Sequence, residues 1–79
     1  MMEMIKKIIE YNTLIDSLVA LSKRLSLLEE KYHLSSEVFF NKFSGGKMED
    51  TSEFIEWAND YRHFLAIRID LAKDLKRVA

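Results

Sequence analysis

The chain has 79 residues, 12 basic against 13 acidic for a formal charge of −1, and 48% of them are hydrophobic. This length allows a single domain, the hydrophobic share excludes a disordered chain, and the balanced charge offers no broad field to attract nucleic acid. Cysteine is absent. Disulfides and thiolate metal sites therefore cannot supplement a core that, at this size, rarely supplies more than about 3–5 kcal/mol. Oligomerisation or a larger partner remains as the means of stabilisation.

Proline is absent and there are two glycines, which favours long helices. Glu3, Lys6, Lys7 and Glu10 interrupt the apolar run that a signal peptide would need. No uncharged run is long enough to span a membrane. A cytoplasmic chain with no membrane contact is the expectation.

In chain order, the first segment runs from about residue 3 to residue 32. Tyr11, Leu14, Leu18, Leu21, Leu25, Leu28 and Tyr32 recur at alternating spacings of three and four, a heptad seam. Ile5, Ile8, Ile9, Ile15 and Val19 form a second stripe beside it. Two stripes are wider than one helix pair needs: either both form one side of a broad core, or one meets a helix of the same chain and the other a second chain. His33 and Leu34 make the connection, and Ser35 and Ser36 are good N-caps for a short helix over about residues 37–43. Phe39, Phe40 and Phe43 are too many for an exposed connector, so this helix should fold back on the core.

Gly45 and Gly46 end the short helix by supplying the left-handed position past its C-terminus. Asp50 and Glu53 read as a capping box for the last helix, over about residues 51–77. Phe54, Trp57, Tyr61, Phe64, Arg68, Leu71, Leu75 and Val78 continue the three-four spacing as a second seam. The fold class expected is all-α. Two long helices joined by a short one form an antiparallel hairpin, and two hairpins dimerise into a four-helix bundle.

Chemistry-bearing patterns are sparse. Gly46-Lys47 lacks the glycine five residues earlier, the following Ser or Thr and the preceding strand of a phosphate-binding loop. Glu30-x-x-His33 and Asp60-x-x-His63 have the spacing of di-metal bundles, but a hairpin sets them about 15 Å apart along the axis. Glu53-x-x-Glu56 supplies half of the carboxylate motif of helical nucleotide pyrophosphatases, and no glutamate follows it. The expectation is a non-enzymatic protein with no cofactor and no metal. A helical metal or nucleotide hydrolase, or a DNA-binding regulator, is the alternative. Most of the aromatic cluster around the glycine turn is expected to be core; for any part that stays exposed, Phe40, Phe54, Trp57 and Tyr61 are candidate partner contacts, because Trp and Tyr are enriched at binding hot spots. Ile5, Ile8 and Ile9 join them from the second stripe. Arg68, a charge on a seam, is expected to snorkel out, to pair with Asp16 or Glu29, or to contact a partner.

Glu30-Lys31-Tyr32, Ser35-Ser36-Glu37, Phe39, Phe43, Gly46, Asp50, Phe54, Glu56-Trp57-Ala58 and Tyr61 form a pattern covering under half of the chain. It resembles that of small helical antitoxin-like proteins from prokaryotic toxin–antitoxin loci. The resemblance implies a helical protein that binds and restrains a partner toxin, and it carries no catalytic residue.

Overall fold

A computed structural model describes the backbone of residues 2–78 and the side chains of residues 12–73. Three helices account for most of that backbone: α1 (Met2–Tyr32), α2 (Ser36–Ser44) and α3 (Ser52–Val78). No strand occurs among the described residues.

Local chemistry sets each boundary. α1 ends where His33 takes a left-handed conformation, φ 52°. The Leu34 N–H then reaches back to the Glu29 carbonyl at 3.2 Å, the long bond of a Schellman cap. Histidine is among the residues enriched in this region, at a cost glycine would not bear. Ser35 caps α2, its Oγ accepting from the Val38 N–H at 3.2 Å. The carboxylate of Glu29, on the last turns of α1, accepts from the Ser36 N–H at 2.8 Å and ties the two helices together. At the other end of α2, Gly46 has φ 72°. The Lys47 N–H donates to the Lys42 carbonyl at 2.9 Å, and the Gly46 N–H to the Phe43 carbonyl at 3.1 Å. Both bonds of the Schellman motif are present, and only glycine adopts that φ without strain.

The start of α3 differs from the expected capping box at Asp50. Thr51 is the cap, its Oγ1 accepting from the Phe54 N–H at 3.1 Å, while Asp50 is exposed. A cap at Thr51 makes Phe54 the third helical residue, and its ring enters the core. Glu53 sits one position earlier, facing α1, and cannot close the box.

The long helices run in opposite directions, since Arg24 pairs with Asp60 and Lys31 with Glu53. The core lies at the end where α2 joins them. Leu25, Phe39, Trp57 and Ala58 are enclosed there. The Phe39 and Trp57 rings stack with centroids 3.8 Å apart and planes 5° from parallel. Leu21 and Ile67 continue the buried line away from α2.

That line corrects the second seam. After Phe64 the inward position falls on Ile67, which is buried, and Arg68 is exposed. The guanidinium of Arg68 lies 5.7 Å from the Phe64 ring centroid. No pairing with Asp16 or Glu29 is formed among the described residues, and Glu29 serves the Ser36 N–H instead. With 3.6 residues per turn an inward stripe can shift by one position, and burying isoleucine avoids the cost of an unpaired charge.

Candidate interaction surface

The aromatic cluster divides into core and rim. Trp57 is fully buried, and its indole N–H donates to Ser36 Oγ at 2.9 Å. Trp57 therefore presents no surface in this state. Phe40, Phe54 and Tyr61 are half-buried. Phe54 packs edge-on against Tyr32 at 5.2 Å and meets Phe39 at 5.4 Å. Phe40 meets Tyr61 at 5.3 Å and lies under the Arg62 guanidinium at the same distance. Phe40 and Tyr61 thus reach the surface together, while Phe54 lies toward α1. Arg68 stands apart on α3. Ile5, Ile8 and Ile9 lie outside the described side chains.

Further from α2 the cover is incomplete. α2 has nine residues, about 13 Å of helix, against the 50 Å long axis of the molecule. The inward residues Leu14, Leu18 and Leu71 are half-buried, whereas Leu25 and Trp57 beneath α2 are enclosed. Glu29 and Arg62 mark the side of the long helices that α2 occupies, through Ser36 and Phe40. At about 100° per residue, Ile15, Val19 and Ser22 of α1 and Leu65, Ile69 and Ala72 of α3 lie on that same side, beyond its reach. Val19 is 49% exposed and Ile69 56%. The radius of gyration is 15.3 Å, where a compact chain of this length gives about 11–12 Å. The accessible surface is 6299 Å², where a folded monomer of this mass exposes about 5000 Å².

The opposite side of the α1–α3 pair is polar. The Tyr32 hydroxyl donates to Glu53 Oε1 at 2.7 Å and the Lys31 ammonium at 2.9 Å. Tyr32, then Lys31, hold the Glu53 carboxyl below its usual pKa. The same carboxylate raises the pKa of both Tyr32 and Lys31. Arg24 donates to Asp60 through two nitrogens, the Nε bond being 3.1 Å, and this hydrogen bonding to Asp60 raises the Arg24 pKa.

The remaining motifs have structural explanations. The backbone N–H groups of Gly46 and Lys47, which a phosphate cradle would use, are bonded to α2 carbonyls. No three His, Asp or Glu side chains among the described residues converge on a common point. Glu30, His33 and His63 are exposed, and Asp60 is held by Arg24. No helix among the described residues is long and apolar enough to cross a membrane.

Two features had no separate signal in the sequence. One is the Ser36–Trp57 bond, because Ser36 reads as a cap. The other is Leu27, 67% exposed and outside both seams. Comparison of the chain with known protein families, with curated proteins and with solved structures finds no match.

Proposed function

We propose that the chain is a non-enzymatic protein–protein interaction module acting as a homodimer. In this reading the α1–α3 pair is a hairpin capped by α2 over half its length. Two hairpins pair through the uncovered halves to close a four-helix bundle. The observation that supports it is the apolar face beyond α2, where Val19 and Ile69 are exposed and Ile15 and Leu65 half-buried.

The partner of such a module is proposed to be a toxin, restrained in the cytoplasm. Support for that part comes from the Glu30–Tyr61 pattern alone. Many residues of the pattern are engaged in the fold: Ser35 as cap, Ser36 with Trp57, Phe39 in the core, Gly46 at positive φ. Toxin contacts are therefore assigned to its exposed members, such as Glu30, Glu37 and Glu56.

Sedimentation of the full chain over a range of concentrations tests the dimer. A two-subunit mass is expected, and Ile69→Glu should return a helical monomer, because Ile69 is exposed in the single chain. A wild-type monomer at the highest concentration would refute self-association. Co-purification with the product of an adjacent gene tests the toxin.

A further inference from the structure

On the side of the α1–α3 pair away from α2 lies an open trough of about 580 Å³. Arg24, Leu27 and Leu28 line it from α1, and Glu53, Glu56 and Asp60 from α3. Leu27 and Glu29 point about 160° apart on α1, which sets the trough opposite α2. On one side, then, the groove between the long helices holds a helix of the same chain. On the other it is open, with Leu27 and Leu28 as an apolar floor and Glu53, Glu56 and Asp60 along the α3 edge, facing Arg24.

We propose that this trough seats a basic amphipathic helix of a partner protein. One apolar side chain of that helix would rest on Leu27 and Leu28, and a lysine or arginine beside it would meet Glu56. Leu27 is the most exposed large hydrophobic residue among those described, and a helix laid in a groove anchors through such contacts. Glu53 and Asp60 are held by Lys31 and Arg24. Glu56, between them along α3, makes no hydrogen bond or ion pair among the described residues; it feels Arg24 only through its charge and keeps its carboxylate oxygens exposed.

Charge also decides against the other occupants. A second copy seated here about a two-fold axis would bring the Glu56 carboxylates, which no ion pair neutralises, toward each other, and like charges oppose that. The phosphates of a nucleic acid would meet the same carboxylates. The proposal rests on the reading of the chain as an interaction module, but not on its self-association, which uses the other face.

The test is an NMR amide-shift titration of the full chain with a synthetic Leu/Lys amphipathic helix of about five turns. A counterpart with glutamate at every lysine position serves as the control. Saturable shifts are expected around Leu27, Glu56 and Asp60, with the acidic peptide and the Glu56→Lys variant each weaker by about tenfold or more, the equivalent of 1.4 kcal/mol. Leu27→Ser should weaken binding while leaving the circular dichroism and sedimentation of the free chain unchanged, since Leu27 is exposed. Absence of saturable shifts with the basic peptide would overturn the proposal. So would shifts centred on Ile15 and Ile69, or equal binding by Glu56→Lys. Sedimentation reads the dimer independently, so failure of one reading is distinguishable from failure of the other.

Discussion

The indole N–H of Trp57 lies in the interior with a single acceptor, the hydroxyl of Ser36. Ser36→Ala removes that acceptor and leaves a buried donor unsatisfied, a loss of about 1–3 kcal/mol. Urea unfolding followed by Trp57 fluorescence should show the midpoint fall by the corresponding amount, whereas Ser26→Ala, at an exposed position, should leave it near wild type. The Tyr32–Glu53–Lys31 group fixes a pH dependence. Glu53 titrates below its unfolded value, so its contribution to stability is present above about pH 4.3 and is lost as pH falls through the lower folded pKa. Tyr32 and Lys31 titrate above their unfolded values, so their contributions are present below about pH 10 and are lost as pH rises through the folded values. Glu53→Gln should flatten the acid limb of a plot of thermal midpoint against pH, and Tyr32→Phe should flatten part of the alkaline limb. An acid limb unchanged in Glu53→Gln would show that the pairing does not persist in solution.

At the scale of the element, the helices are delimited by caps more than by propensity. α2 is too short to be stable alone. Ser35 holds its start, Gly46 its end and Phe39 its position on the core. At the start of α3 two adjacent polar residues, Asp50 and Thr51, compete for the same role, and the geometry gives it to Thr51. Thr51→Ala should therefore cost about 1 kcal/mol, while Asp50→Ala should cost a few tenths through the helix dipole alone. Chemical denaturation of the two variants side by side checks this. Equal losses, or a larger loss at Asp50, would restore the capping box as the better description.

At the scale of the whole molecule, the fold is complete at one end and open at the other. Beneath α2 the side chains of Phe39 and Trp57 are fully enclosed, whereas Leu14, Leu18 and Leu71 are not. Covering those residues with a second copy links stability to concentration by mass action. The thermal midpoint should rise with protein concentration in the wild type and become independent of it in Ile69→Glu. A midpoint that does not move with concentration in the wild type would remove the dimer from the account.

Three-four spacing of apolar residues, absent proline and two adjacent glycines determined by themselves that the chain forms three helices, and where each begins and ends to within a residue or two. These are local properties, and backbone hydrogen bonding and capping act over one or two turns. Tertiary structure decided which member of a local set each role falls to. Ile67 rather than Arg68 faces inward because the neighbouring helix determines which of two adjacent residues is desolvated. Thr51 rather than Asp50 caps α3 because Phe54 must reach the core. Trp57, inward on its seam, is fully enclosed because α2 folds over it and Ser36 supplies an acceptor. The trough at Leu27 and Glu56 was illegible for the same reason. Its walls are 29 positions apart in the sequence, and only the antiparallel packing of α1 on α3 brings an exposed leucine beside an unpaired carboxylate.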